Sequence, residues 1–155
     1  MVLKMKKLVL AALFALGAVP ALADVSVADS WVRATVPQQK ATGAFMQLKS
    51  DVPARLVGAS SPLAGVVEIH EMRMEKDVMK MGPIPALELP AGDAVKLEPG
   101  GYHIMLMGLH RQVKEGQLVP LTLVIENRDG SRHSVELSVP VRPLNAPVRM
   151  PHGQH

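Results

Sequence analysis

Turn-forming residues at short intervals constrain the fold of this chain more than any other feature. Proline, glycine and asparagine interrupt the apolar residues at roughly ten-residue spacing, and no segment keeps a helical period beyond a turn or two. The predicted strands lie near residues 25–31, 44–48, 55–59, 66–74, 78–81, 94–97, 102–109, 121–126 and 134–139. Many short strands at this spacing indicate a single all-β domain, either a β-sandwich or a Greek-key barrel.

The beginning of the chain has the composition of an export signal. Lysines at positions 4, 6 and 7 precede an apolar run over residues 8–19, and Ala21-Leu22-Ala23 follows as a small-x-small site. This is the organisation of a secretory signal peptide, and the run is too short to span a bilayer. We therefore expect a signal peptide over 1–23, cleavage after Ala23 and a periplasmic mature chain; an uncleaved anchor is the alternative.

The remainder divides into a domain and a tail. Residues 24–142 contain all the predicted strands, whereas residues 143–155 contain three prolines and no apolar alternation. We expect 24–142 to form one β-domain and 143–155 to form a flexible tail. No second apolar stretch approaches membrane length, so we expect the mature form to be soluble and monomeric.

Charge and cysteine content exclude several classes of function. Three of the 17 lysines and arginines belong to the predicted signal, so the mature chain has 14 of them against 14 acidic residues. A balanced charge gives no electrostatic support for nucleic-acid binding. The chain has no cysteine, which excludes disulfides, a lipid-attached cysteine, thiol–disulfide chemistry and thiolate metal sites.

Methionines concentrate in three of the predicted strands, two of which also contain a histidine. Of the eight methionines beyond the signal, six lie between positions 72 and 107: Met72, Met74, Met79, Met81, Met105 and Met107. Because alternate residues of a strand face opposite sides, His103, Met105 and Met107 share one face, while Tyr102, Ile104 and Leu106 should face the core. His70, Met72 and Met74 repeat the pattern, and a turn at Asp77 would return residues 78–81 beside them.

The concentration favours a metal site over packing alone. A single methionine usually fills a gap in a core, and a single histidine is usually a hydrogen-bonded boundary residue. A strand face with the pattern His-x-Met-x-Met, however, would make a poor core and an unusual solvent surface. Thioethers are soft, neutral ligands that favour Cu(I), whereas zinc prefers Cys, His and carboxylates. A donor set without a carboxylate also favours the +1 state over the +2 state.

The spacing of these residues resembles a known family. His70, ten residues, Met81, twenty-one residues and then His103-Ile104-Met105 is similar to the signature of the periplasmic copper chaperones called PCuAC. The resemblance covers essentially the whole predicted mature chain, including residues 31–37 and 41–46. It implies a cupredoxin-like β-sandwich that binds Cu(I) through His70, Met81, His103 and Met105, and delivers it to the CuA centre of cytochrome c oxidase.

Other candidate ligands are open to more than one interpretation. Met72, Met74, Met79 and Met107 could form a secondary shell, an ion entry track or a hydrophobic rim, of which the rim is favoured. The tail residues Met150, His152 and His155 could bind a second copper ion as Cu(II), or could be incidental residues of an unstructured terminus. His110 and His133 are typical surface histidines.

Two functions compete on this evidence. One compact ligand set favours a metallochaperone, which needs an exchangeable ion, over a copper sink for sequestration or resistance, in which repeated Met/His arrays would be expected. Enzyme or electron-transfer activity is not expected, because blue-copper centres use a cysteine thiolate and no catalytic triad or pair of carboxylates can be recognised.

Overall fold

The computed structural model describes residues 22–145, which form ten strands and no α-helix. The strands are β1 (Val25–Arg33), β2 (Ala41–Ser50), β3 (Ala54–Ser60), β4 (Ala64–Glu75), β5 (Val78–Pro83), β6 (Leu87–Leu89), β7 (Ala94–Leu97), β8 (His103–Leu109), β9 (Leu118–Glu126) and β10 (Arg132–Arg142). The prediction of a single all-β domain is confirmed. In this described part, no helix is long and apolar enough to cross a membrane.

Nine of the strands follow one hydrogen-bonded path in the order β5-β4-β8-β2-β1-β10-β9-β3-β6. The remaining strand, β7, pairs with residues 46–49 of β2. Pairing between these strands is antiparallel except where β1 meets β10. That parallel contact is short, since its register contains only Val32↔Val141 and Arg33↔Arg142. The sheet therefore has two antiparallel halves joined by a narrow connection.

The two halves enclose one hydrophobic core. Leu48 and Ile104 from the first half belong to the same buried cluster as Leu121 and Ile125 from the second. Burial alternates along the strands, as expected when only one face of each half packs inward. In β8, Ile104 and Leu106 are completely buried, which confirms their predicted orientation.

Two local expectations fail for identifiable reasons. Tyr102 was expected to face the core, but β8 begins one residue later and the Tyr102 side chain is exposed. The three-residue strand β6 was not predicted, because it is too short to establish an alternation and lies between Pro85 and Pro90. The predicted hairpin around residues 127–130 does form, as β9 pairs with β10 over nine residue pairs.

The first described residues pack onto the domain. Ala23 is buried, and its backbone N–H donates a hydrogen bond to Asn127 Oδ1 at 2.8 Å. The next residue, Asp24, donates its backbone N–H to Asp51 Oδ1 at 2.8 Å. Cleavage after Ala23 stays a prediction, and most of the predicted signal and tail, 1–21 and 146–155, lies outside the described residues.

The burial pattern of β8 predicts that Leu106→Ala destabilises the fold. The substitution would leave a cavity between the two halves of the sheet, so the free energy of unfolding should fall by about 2–5 kcal/mol. Urea denaturation followed by circular dichroism would measure this. A loss well under about 1 kcal/mol would show that Leu106 does not belong to a close-packed core.

Candidate metal centre

Strands β4, β5 and β8 lie side by side at one end of the sheet and position the residues of interest. His70 on β4 is the direct cross-strand partner of His103 on β8. The two imidazole rings therefore lie on the same face, with centroids 5.6 Å apart. Both side chains are buried, although histidine is more often partly exposed.

A tight hairpin brings Met81 to these histidines. The turn residues Lys76 and Asp77 both have positive φ, 50° and 62°, as in the type I′ turns that suit two-residue hairpins. The resulting register places Met81 opposite Met72. From there the Met81 side chain reaches towards β8, and its Sδ lies 3.1 Å from Nε2 of His103. The predicted antiparallel return of residues 78–81 is thus present.

The hydrogen bonding of His103 determines what its Nε2 can do. The carbonyl of Gly101 can only accept, so the contact of 3.1 Å means that His103 Nδ1 donates to it. In the neutral imidazole, Nε2 then carries a lone pair, and this lone pair faces the Met81 thioether. Burial lowers the pKa of His103, and the nearby His70 acts in the same direction, while the hydrogen bond to Gly101 raises it. Two electron-pair donors therefore face each other with no proton between them.

His70 is oriented by a carboxylate that the sequence analysis did not consider. Glu68 Oε2 accepts a hydrogen bond of 2.8 Å from His70 Nε2, which leaves Nδ1 as the free nitrogen. This Nδ1 is buried and has no hydrogen-bond partner, an arrangement that buried polar atoms usually avoid. The assumption that no carboxylate lies near the donors is therefore wrong. The alternation Glu68-x-His70 on β4 is the signal that could have identified it.

Met105 completes the set on the same face of the sheet. It is half-buried and pairs with Glu68 on β4 and Gly43 on β2. A cleft of about 290 Å³ opens here. Its lining comprises Arg33, Gln39, Ala41, Thr42, Gly43, Phe45, Met72, Met81, Pro99, Gly100, His103 and Met105. Of the four predicted ligands, Met81, His103 and Met105 line this cleft. His70 is not part of the lining, and its ring lies behind that of His103 with the centroids 5.6 Å apart.

An aromatic and cationic cluster borders the cleft, and the sequence analysis did not predict it. The ring of Phe45 lies 6.2 Å from that of His103 and 4.6 Å from that of Trp31. The guanidinium of Arg33 lies over both aromatic rings, 5.6 Å from the Phe45 centroid and 5.8 Å from that of Trp31. Because arginine remains charged, Arg33 disfavours a divalent ion in the cleft more than a monovalent one.

These donors fit a soft monovalent cation. The described residues contain no group of three or more His, Asp or Glu side chains that could hold a metal. Two imidazoles and two thioethers instead match the preferences of Cu(I). The unpaired Nδ1 of His70 and the lone pair of His103 Nε2 are the nitrogens available to such an ion.

The other candidate residues are distributed differently. Met74 and Met79 form a pair near the tip of the β4–β5 hairpin, and both are exposed. Met107 lies at the opposite end of β8, where it pairs with Ala41 and Val66. The proposed second copper ligands in the tail, Met150, His152 and His155, lie outside the described residues.

Comparison of the sequence with known proteins identifies one family and one close relative. The family described as "Putative lipoprotein LpqE-like" matches residues 25–141. The relative is "Putative lipoprotein Lxx21020" of Leifsonia xyli subsp. xyli (strain CTCB07), which is 34% identical over 119 residues, covering 76% of this chain and 69% of that protein.

Comparison of the fold identifies copper-protein domains. The copper-bound PCuAC domain from PmoF2 superimposes with a TM-score of 0.59 at 22% identity, covering 79% of this chain and 97% of that domain. Apo-DR1885 from Deinococcus radiodurans gives 0.55 at 33% identity, covering 81% and 87%. Its CuI form gives 0.52 at 34% identity, covering 84% and 85%. The chain therefore has the cupredoxin-like fold of PCuAC domains, as the resemblance implied.

The contact between Glu68 and His70 predicts the effect of Glu68→Ala. The His70 ring should lose its preference for the Nε2–H tautomer, because only the carboxylate accepts that proton. Long-range ¹H–¹⁵N spectra of the imidazoles at about pH 8 would detect the change. Since Glu68 is partly exposed, the free energy of unfolding should fall by only about 1 kcal/mol.

Glu71→Ala is the matched control for this experiment. Glu71 is on the same strand but pairs with Arg73 rather than with a histidine. The His70 tautomer should be unchanged in this variant. Identical His70 spectra in the wild type and Glu68→Ala would contradict the assignment of Glu68 as the group that orients the ring.

Proposed function

The chain belongs to the LpqE-like family, and from this membership and its fold we propose that it is a Cu(I)-binding metallochaperone of the cell envelope. His70, Met81, His103 and Met105 are its ligands. The observation that carries the proposal is the convergence of donor atoms: Met81 Sδ faces the lone pair of His103 Nε2 at 3.1 Å, beside His70 Nδ1, which has no hydrogen-bond partner. A soft cation would be held by these atoms.

The relatives support copper as the cargo. DR1885 was solved in a CuI form and is 34% identical to this chain, a level at which a shared ligand set is reasonable to propose. The PCuAC domain from PmoF2 was solved with copper bound; at 22% identity it supports the fold in which such a site is built. The oxidation state proposed here rests on the soft donors and on the charge of Arg33.

The position of the site favours transfer over storage. Met81 is 49% exposed and opens onto the cleft, so an incoming donor atom could share the ion before Met81 leaves. His70 and His103 are buried and would hold the ion until the acceptor engages. The described residues form one such constellation, which favours a carrier over a protein for copper sequestration; the acceptor proposed from the resemblance is the CuA centre of cytochrome c oxidase. The protein is a carrier and not an enzyme.

The proposed location is the periplasm. The predicted signal peptide would export the chain. The family and the relative from Leifsonia both carry the description "Putative lipoprotein", and lipoproteins are exported proteins. This sequence contains no cysteine, so the proposal does not include attachment through a lipidated cysteine. The proposal is therefore an exported carrier that moves between its donor and its acceptor.

The ligand assignment predicts different effects of Met105→Ala on binding and on folding. Affinity for Cu(I) should fall at least about tenfold, equivalent to about 1.4 kcal/mol, because a ligand is lost. The free energy of unfolding should fall by only about 1–2 kcal/mol, because the side chain is half-buried. Competition with a chromophoric Cu(I) chelator under anaerobic conditions would measure affinity, and X-ray absorption should show sulfur and nitrogen neighbours.

Met107→Ala is the matched control, since it makes the same change two residues further along the same face of β8. It should cost similar stability without weakening Cu(I) binding. Equal losses of affinity in both variants would favour packing as the role of these methionines. A coordination shell of only oxygen and nitrogen would rule out the thioether ligands.

The choice between carrier and sink is tested by transfer. Cu(I)-loaded protein mixed with an apo CuA domain should lose its ion to that domain, and the ion should be found in the CuA fraction after separation. His103→Ala, which removes a central ligand, should not be loaded under the same conditions and should therefore transfer nothing. Retention of Cu(I) by the wild type in the presence of excess apo CuA would favour sequestration.

A further inference from the structure

Four methionines form a continuous row along one face of the β4–β5 hairpin. Met72 pairs with Met81, and Met74 pairs with Met79, so the thioethers form two adjacent cross-strand rungs. We call Met72, Met74, Met79 and Met81 the thioether ladder. Its inner rung includes the proposed ligand Met81, and its outer rung lies next to the turn. The proposed copper site uses only one of these four residues.

The register brings the two side chains of each rung unusually close. In a two-residue hairpin the residues flanking the turn, Glu75 and Val78, form a hydrogen-bonded pair, and pair types alternate along the strands. Both methionine rungs therefore occupy non-hydrogen-bonded positions, where Cβ atoms of opposite residues are about 4.5–5.5 Å apart. With three rotatable bonds in each side chain, the two sulfurs of a rung can reach a common ion.

A packing role does not explain the outer rung. Met74 is 63% exposed and Met79 is 48% exposed, so neither fills a gap in the core. Packing alone would be satisfied by leucine or valine, yet both outer positions have soft sulfur donors. This makes the outer rung more than a hydrophobic rim of the cleft.

The charged residues on the other face of the hairpin do not repel a cation from the thioether ladder. Its charged residues form ion pairs with one another: Arg73 with Glu71 at 3.7 Å and Lys80 with Glu75 at 3.6 Å. The cations at these positions are thereby compensated locally. A monovalent cation on the thioether face would not meet an uncompensated positive charge from Arg73 or Lys80.

We propose that Met74 and Met79, assisted by Met72, form a second binding site for a soft monovalent cation such as Cu(I). The site goes beyond the proposed function, which requires only the inner ligands. Because it has thioethers but no imidazole, it binds more weakly than the inner site and fills after it. Met72 belongs to the inner rung, follows Met74 on the same face of β4 and lines the cleft, so an ion on the outer rung has a path of sulfur donors to Met81.

Methyl NMR can observe each rung separately. The purified chain, labelled at the methionine ε-methyl carbons with ¹³C, is titrated with silver nitrate in chloride-free buffer, since Ag(I) resembles Cu(I) but does not undergo redox chemistry. The Met81 and Met105 methyl signals should move during the first equivalent. The Met74 and Met79 signals should move during the second, while the buried Met46 should not move.

The variant Met74→Leu/Met79→Leu tests the assignment. As the assisting ligand, Met72 should also show a methyl shift during the second equivalent in the wild type, and this variant should abolish that shift. Ag(I) affinity at the inner site should change by less than about twofold, well below the tenfold that corresponds to 1.4 kcal/mol. Met107→Leu makes the same chemical change outside the ladder and should leave both steps intact. Repeating the wild-type titration anaerobically with Cu(I) should give the same order of shifts.

The outcomes separate this proposal from the proposed function. Silent Met74 and Met79 signals would overturn the second site and leave the outer rung as a hydrophobic rim or a protein-docking surface. Movement of all the ladder signals together in the first equivalent would also overturn it, because the ladder would then belong to a single site. Silent Met81 and Met105 signals would instead refute the proposed function, whatever the outer rung does.

Discussion

The pairing of β4 with β8 is the interaction on which the candidate site depends. This register sets His70 opposite His103 and Glu68 opposite Met105. A shift of either strand by one residue would turn all of its side chains to the other face of the sheet, so that its histidine would point towards the core and its isoleucine, Ile69 or Ile104, towards the cleft. Burying these two isoleucines therefore stabilises the same register that brings the donors together. The strand pairing that folds this part of the sheet therefore also brings the residues of the candidate site together.

The charges around the donors explain how neutral ligands can be selective. The carboxylate of Glu68 accepts a hydrogen bond from Nε2 of His70 and leaves Nδ1 without a partner. Carboxylates commonly orient metal-binding histidines in proteins by this kind of contact. Arg33 adds a fixed positive charge to the cleft wall. The contact with Glu68 fixes the orientation of the His70 donor atom, and the charge of Arg33 disfavours a divalent ion more than a monovalent one. Together they favour a soft +1 ion without a thiolate, which suits a compartment in which thiols are oxidised.

The sequence predicted the parts of the structure that local pattern determines. Alternation along β8 separated Ile104 and Leu106 from His103, and turn residues marked the β4–β5 and β9–β10 hairpins. What it did not predict depends on contacts between distant segments. The approach of Phe45 and Arg33 to His103 follows from β1–β2 and β2–β8 pairing, which no local pattern specifies.

The resemblance to PCuAC named the four proposed ligands, but not Glu68, because a spacing motif contains only ligand positions. The orientation of His70 depends on which of its nitrogens meets a carboxylate, and that is a property of side-chain geometry. Tyr102 shows where periodicity fails. The alternation predicted that its side chain faces the core, but β8 begins at His103. Alternation does not determine the orientation of a residue outside a strand. The motif and the periodicity thus predicted the candidate ligand residues, but not the contacts that orient them.

Under the proposed function, the order in which ligands release the ion follows from where they lie in the sheet. Strand β5 is at the edge and is held only by β4, whereas β4 and β8 each have neighbours on both sides. Edge hairpins open at lower free-energy cost than interior strands. Met81, on β5, is therefore the ligand that can move away first, while His70, His103 and Met105 stay in place. An acceptor would approach from the β5 side, replace Met81 and meet an ion still held by a rigid set of three donors.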